Sequence, residues 1–114
     1  MKNYQCKKCG TLIQSNSRPH TNGCPSGSFH SWVDLGKTGD YVYACKACNT
    51  VVNTQSHPNS SGCPEGGFHK WYKLGKTGND TYQCEHCGMV VKTNGRPSSS
   101  YCSAASFHRW NKLS

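Results

Sequence analysis

The sequence predicts a small, metal-stabilised all-β protein of three tandem modules, and three observations lead to this fold class. The pattern Cys-x2-Cys-x14-Cys-x5-His occurs three times at a strict period of 39 residues, which is typical of repeated structural units. Only 33% of the residues are hydrophobic. Units below about 40 residues rarely bury enough apolar surface to fold without metal, disulfides or assembly. The segments between the ligands are β-branched or polar and show no helical periodicity.

The repeated pattern uses all nine cysteines and three of the six histidines. Three thiolates and one imidazole close a tetrahedral zinc site, so the sequence predicts three Zn²⁺ ions per chain. The predicted ligands are Cys6, Cys9, Cys24 and His30 in the first module, Cys45, Cys48, Cys63 and His69 in the second, and Cys84, Cys87, Cys102 and His108 in the third. Surface positions are expected for the histidines that do not recur, His20, His57 and His86.

A disulfide framework is the competing use of nine cysteines. Three thiols in one module cannot all pair with one another, and the total is odd. The first residues, Met1 to Gln5, contain no apolar segment of the kind found in secretory signal peptides. These features favour zinc, and they lead us to expect a reducing, cytoplasmic setting. No apolar stretch is long enough to span a bilayer, so no membrane partner is expected.

Each module opens with an aromatic residue and a Cys-x2-Cys turn, such as the segment 4–10. Gly or Asn follows the second cysteine in every copy and tolerates the left-handed conformation that ends such a turn. The aliphatic stretch that follows, Leu12-Ile13 in the first copy, is expected to return as the second strand of a hairpin. A polar loop containing Pro19 then predicts irregular surface structure.

The segment after the third cysteine predicts a third strand, which delivers the histidine back to the metal. Side chains alternate along this segment, so its residues divide between two faces. One face would carry Phe29, Ser31, Val33 and Leu35, and the other His30, Trp32 and Asp34.

The predicted modules are residues 1–36, 37–75 and 76–114, joined by linkers that begin Gly-Lys-Thr. Gly-Lys-Thr also occurs in phosphate-binding loops, which need a further glycine five residues before the glycine of Gly-Lys-Thr. Ser31 and Lys70 stand at those positions, so we interpret both segments as short flexible linkers.

Each 39-residue unit resembles a zinc ribbon of the rubredoxin-like kind, with a knuckle, a hairpin, a long loop, a second turn and a third strand. The resemblance implies a zinc-ribbon-like fold with a zinc site of three cysteines and one histidine. One departure concerns the third and fourth ligands: such ribbons carry another Cys-x2-Cys there, whereas in this chain the fourth ligand is a histidine. The histidine favours zinc over iron and electron transfer, which all-cysteine sites support.

Three aromatic sets recur at the period and allow two interpretations. In the first, they form the small core of each module together with a recurring leucine. In the second, the tryptophans form a row of exposed platforms for stacking bases or gripping a polymer. The sets are Tyr4, Tyr43 and Tyr82, then Phe29, Phe68 and Phe107, then Trp32, Trp71 and Trp110, and the leucines are Leu35, Leu74 and Leu113.

The formal charge of +8 counts the cysteines as neutral thiols. A Zn²⁺ ion held by three thiolates and a neutral imidazole has a net charge of −1, so three loaded sites lower the charge from +8 to +5. Before metal loading, the formal charges of the three modules are +3, +2 and +3. This positive charge in every module favours binding to nucleic acid. The candidate contact residues are Lys7, Lys8, Arg18, Trp32, Lys37, Lys70, Trp71, Lys76, Arg96, Arg109 and Trp110.

An enzyme is not expected, because four protein ligands close a zinc site and leave no position for water or a small-molecule substrate. No catalytic residues are identified. The alternative to nucleic-acid binding is a protein-interaction or self-assembling structural module. Stacked repeats usually carry polar end caps, and the third module diverges where Tyr101 replaces glycine and the segment 102–106 replaces Cys-Pro-x-Gly.

Overall fold

A computed structural model describes residues 1–25, 27, 29–100, 102 and 104–113. Tyr101 and Ser103, which belong to the divergent segment of the third module, lie outside the described residues. In the described part of the chain the strands are β1 (Lys2–Cys6), β2 (Leu12–Ser15), β3 (Trp32–Lys37), β4 (Tyr41–Cys45), β5 (Val51–Thr54), β6 (Trp71–Lys76), β7 (Asp80–Cys84), β8 (Val90–Thr93) and β9 (Trp110–Lys112).

The strands form three separate antiparallel sheets, one for each copy of the cysteine pattern. Their orders are β2-β1-β3, β5-β4-β6 and β8-β7-β9, so the first strand of each copy is central. This arrangement confirms the prediction of a hairpin plus a third strand beside a group of three cysteines and one histidine. Within the part of the chain that the structure describes, no helix is long and apolar enough to cross a membrane.

The third strand differs from its prediction in two ways. It begins at Trp32 rather than at Phe29, because the backbone before it pairs with the long loop, where the His30 N–H donates to the Thr21 carbonyl at 2.6 Å. A bulge also interrupts its alternation, since Asn3 pairs with Gly36 and Tyr4 with Asp34, which leaves Leu35 as the extra residue. Leu35 and Trp32 are therefore both buried although they lie three residues apart.

The modules pack on one another through contacts that repeat at the same period. The Leu35 carbonyl accepts from the Asn59 N–H at 3.0 Å, and the Leu74 carbonyl accepts from the Ser98 N–H at 2.9 Å. The predicted linkers pack closely against the module that follows them, because a Cβ at Gly39 would collide with the backbone of Gln55.

The two interfaces between modules use different side chains in this common geometry. Between the first two modules, Asn3 donates to the Asn53 carbonyl at 2.8 Å and Gln5 donates to the Thr50 hydroxyl at 2.6 Å. Asn3 and Gln5 are fully buried. Between the second and third modules the Tyr72 hydroxyl hydrogen-bonds to His108, and one largely apolar buried cluster crosses the boundary. Its members include Val42, Ala44, Tyr72, Leu74, Met89, Val91 and Trp110.

Candidate metal centres and the surrounding surface

The structure brings the twelve predicted ligands together in three groups, in which the ligand atoms lie within 4.8 Å of one another. The first cysteine of each group ends the central strand, as Cys6 ends β1. The second lies in the following turn, the third in the second turn, and the histidine two residues before the third strand begins. All nine cysteines are free thiols, so the structure contains no disulfide.

The Cys-x2-Cys turn has the same backbone in every copy. The N–H of Gly10 donates to the Cys6 carbonyl at 2.9 Å, and Asn49 does the same to Cys45. Gly10 has φ +80° and Asn49 has φ +62°, so both occupy the left-handed region that the sequence predicted. The turn directs both sulfurs of the knuckle to one side.

The distances between ligand atoms fit a single tetrahedral ion. The Sγ atoms of Cys6 and Cys24 are 3.8 Å apart, and Cys9 Sγ is 3.5 Å from His30 Nδ1. Tetrahedral zinc with bonds of about 2.3 Å to sulfur and about 2.0–2.1 Å to nitrogen requires separations of roughly 3.8 Å and 3.5 Å. The third group repeats these values at 3.8 Å and 3.5 Å. The four side chains of each group could therefore hold one metal ion without rearrangement.

The pKa of the first cysteine of each group is lowered, which favours its thiolate form. Burial raises the pKa of the Cys6 thiol, but hydrogen bonds from neighbouring backbone N–H groups, chiefly those of Cys9 and Ser31, outweigh burial and lower the pKa to about 6. The same balance lowers the pKa of Cys84 to about 6 and also lowers that of Cys45. These thiolates are prepared to bind a cation.

The second cysteine of the knuckle behaves in the opposite way in two groups. Burial raises the pKa of Cys48 to about 12, and the neighbouring Cys45 sulfur adds to the rise. Burial likewise raises the pKa of Cys87 to about 11. Because only a thiolate ligates a metal, an ion entering at neutral pH must displace these protons.

Each ligand histidine is oriented by a tryptophan of the same module. The rings of His30 and Trp32 stack with centroids 4.6 Å apart, and the corresponding distances in the other modules are 4.4 Å and 4.5 Å. Trp32 and Trp110 are only 5% and 2% exposed, and the Trp32 indole donates to the His20 carbonyl at 2.9 Å. These two tryptophans belong to the core, as in the first interpretation, and do not form part of an exposed row. Trp71 is half-buried.

The outward nitrogens of the histidines have different surroundings. Each Nδ1 faces a cysteine sulfur, so Nε2 is the nitrogen left for a second partner. His108 Nε2 is 2.7 Å from the Tyr72 hydroxyl of the preceding module. His69 Nε2 is buried without a hydrogen-bond partner, since Val33 stands at the position that corresponds to Tyr72. Burial lowers the pKa of His69 and raises that of Tyr72.

The three arginines of the predicted contact set have structural partners. Arg18 donates to the Trp32 carbonyl at 2.6 Å, and Arg96 donates to the Trp110 carbonyl at 3.0 Å. Arg109 pairs with Glu85 at 3.0 Å. These arginines support the fold of their own modules, so less of the predicted basic surface remains open to a partner. Exposed positions are occupied by the lysines of that set, Lys7, Lys8, Lys37, Lys70 and Lys76.

A cleft of about 300 Å³ lies beside the second metal group, and Lys46, Lys70, Trp71 and Tyr72 line it. The Lys46 N–H donates to the Lys70 carbonyl at 3.0 Å, and this bond places the two lysines side by side. Sequence reasoning missed Lys46 and Tyr72. Comparing the three copies could have found Tyr72, because the corresponding residues are Val33 and Asn111.

The phenylalanine set does not belong to the core, and this part of the first interpretation is wrong. Phe29, Phe68 and Phe107 are 58%, 71% and 66% exposed. Each one precedes a ligand histidine, in backbone that pairs with the long loop rather than with the sheet, as Phe29 does with Asn22. Leu113 is also exposed, at 55%, whereas Leu35 and Leu74 are buried as predicted. The non-recurring histidines, His20, His57 and His86, lie on the surface as expected.

Comparison with known proteins gives no match among family models, curated proteins or solved structures.

Proposed function

We propose that the protein is a non-catalytic zinc protein that binds single-stranded nucleic acid. Zinc is the metal that best fits three thiolates and one imidazole at tetrahedral separations, as found for Cys6, Cys9, Cys24 and His30. When bound, zinc supplies cross-linking of the four ligands, and structural zinc adds roughly 10–16 kcal/mol of apparent binding free energy in finger peptides. Free thiols suit a reducing compartment such as the cytoplasm.

The observation that carries the proposal is the cleft beside the second metal group. Two lysines, Lys46 and Lys70, and two aromatic residues, Trp71 and Tyr72, line it. Lys70 is exposed and offers a positive charge to a phosphate at this cleft. A phosphate with its attached base matches both the charged and the aromatic parts of this cleft.

The corresponding positions in the other modules carry other side chains. The first module has Lys7 and Ser31, and the third has Glu85 and Arg109, which neutralise one another. The second module therefore provides the strongest anion site of the three. Among the three copies, only the second carries lysine at both positions.

The exposed phenylalanines favour a single-stranded ligand. Phe29, Phe68 and Phe107 offer one aromatic ring per module, and unpaired bases stack on such rings. The described residues contain no helix that could enter a major groove. Phosphate contacts from lysine together with stacking on aromatic rings form the usual combination in proteins that bind single strands.

Fluorescence anisotropy of the zinc-loaded chain with labelled single- and double-stranded oligonucleotides tests the proposal. We expect single strands to bind more tightly, with log K falling by about 0.7 per phosphate contact for each unit of log salt. Lys70→Gln should weaken binding and reduce this slope. Lys2→Gln removes the same charge from the first module, where Lys2 pairs with Asp34 at 3.3 Å, and serves as the matched control. The proposal fails if the chain binds no nucleic acid at low salt.

A further inference from the structure

The same backbone hydrogen bonds join the first module to the second and the second module to the third. The backbone bond from Asn59 N–H to the Leu35 carbonyl recurs 39 residues later as Ser98 to Leu74, at 3.0 Å and 2.9 Å. The second pair of bonds recurs in the same way, from Gln55 to Lys37 and from Asn94 to Lys76. One geometry therefore accepts the polar side chains of Asn3 and Gln5 at the first interface and a largely apolar cluster at the second.

The outer face of the third module presents residues whose counterparts in the first and second modules contact the following module. We define it by Thr81, Gln83, Asn111 and Leu113. Leu113 is 55% exposed, whereas its counterparts Leu35 and Leu74 are 1% and 3% exposed because a following module covers them. The face is thus an uncovered copy of a surface that the chain buries twice.

Gln83 is already oriented for docking. Its Nε2 donates to the Gly88 carbonyl at 3.2 Å, and Gln5 makes the equivalent bond to Gly10 at the same distance. Gln5 uses the same Nε2 to reach the Thr50 hydroxyl of the next module. A side chain held in this conformation loses little further entropy on binding.

The outer face of the first module provides the complementary surface. We define it by Thr11, Ile13, His20 and Gly23. Thr11 bonds Cys9 Sγ at 3.1 Å as Thr50 bonds Cys48 Sγ at 3.1 Å, so the two hydroxyls are placed alike. Gly23 corresponds to Gly62, where a Cβ would come within 2.5 Å of Val33, but a Cβ at Gly23 would meet nothing within 4 Å. A space that is filled inside the chain is therefore open at this end.

From this match we infer that the outer face of the third module binds the outer face of the first module of a second copy of the chain. Gln83 donates to Thr11 of the second copy, and the Leu113 carbonyl accepts from the His20 N–H, by the step that joins modules within one chain. Because the two faces are different, the contact is head-to-tail and leaves one free face at each end. Both end modules have a formal charge of +3, so screening salt strengthens the association.

Sedimentation velocity of the zinc-loaded chain between about 10 μM and about 1 mM at high salt tests the inference. We expect the average mass to rise steadily with concentration. Leu113→Arg blocks the third-module face, and the exposure of this residue makes it safe for folding. Thr11→Arg blocks the first-module face. Each variant alone should be monomeric over a range at least ten times higher in concentration than the wild type.

An equimolar mixture of the two variants is the decisive sample. The Leu113→Arg chain keeps its first-module face and the Thr11→Arg chain keeps its third-module face, so the mixture should form a dimer and stop there. A wild type that stays monomeric, single variants that still associate, or a mixture that stays monomeric would each overturn the inference. Metal content checks that Thr11→Arg keeps three ions, and His20→Arg replaces it if one is lost.

Discussion

Replacing Tyr72 by phenylalanine removes one hydroxyl that links the second module to the third metal centre. The Tyr72 oxygen lies 2.7 Å from His108 Nε2, and both residues are buried. Because His108 Nδ1 faces the metal position, Nε2 carries a proton and donates it to the tyrosine oxygen. Phenylalanine keeps the ring in the shared core and leaves this N–H without a partner.

Two estimates of the expected loss of metal affinity at the third site agree. Removing an outer partner of a ligating histidine lowers metal affinity by about 10- to 100-fold, which equals roughly 1.4–2.7 kcal/mol. Leaving a buried donor unsatisfied costs about 1–3 kcal/mol. The second metal centre already illustrates this state, because His69 Nε2 is buried without a partner. Tyr72→Phe should therefore make the third site resemble the second in affinity.

Competition between the protein and a chromophoric zinc chelator at pH 7 measures this effect. We expect one of the three ions to be lost about 10- to 100-fold more readily from Tyr72→Phe. Tyr43→Phe, which removes a hydroxyl from a half-buried ring beside His57, is the control and should leave all three affinities unchanged. Unchanged affinity in Tyr72→Phe, or an equal loss at all three sites, would refute the role of this hydrogen bond.

Three further predictions follow from the same contacts. Since the pKa of Cys87 is raised to about 11, metal binding at pH 7 should release the proton of this thiol. The contribution of Cys87 should make metal affinity rise about tenfold for each unit by which the pH is increased. Calorimetry in buffers of different ionisation enthalpy counts the released protons. Gly62→Ala should lower the free energy of unfolding by about 1–3 kcal/mol more than Gly23→Ala, because only the Gly62 Cβ meets Val33 while both residues have positive φ. Denaturant titration of the two variants checks this, and equal losses would contradict the packed interface. Phe68→Ala should weaken single-strand binding by about 1–3 kcal/mol per stacked base and change stability by under about 0.5 kcal/mol. Loss of stability without loss of binding would indicate that Phe68 supports the fold and does not contact the nucleic acid.

The hairpin, the third strand and the grouping of the ligands could be predicted from the sequence because all of them are local. A Cys-x2-Cys turn closes within five residues, and its glycine or asparagine reports the backbone it needs, as Asn49 shows at φ +62°. The period then assigns the same structure to each copy. Metal ligands are also chemically distinctive, so a shared spacing is enough to find them.

The aromatic sets could not be assigned in this way, because periodicity shows that a residue is needed in every module but not on which side it lies. Strict alternation places Phe29 on the face of Leu35 and Trp32 on the other. The bulge at Leu35 brings Leu35 to the side of Trp32, and the loop pairing at Phe29 turns that residue outward. Both events depend on hydrogen bonds that hydrophobic patterning does not report.

The positions that break the period are those at which the modules acquire separate roles. Val33, Tyr72 and Asn111 occupy one position, and in turn they pack on the next module, bond its metal ligand and lie exposed. The fold tolerates all three because the backbone bonds between modules are the same at both interfaces. Selection on that position can therefore change a metal centre or an end face without disturbing the stack.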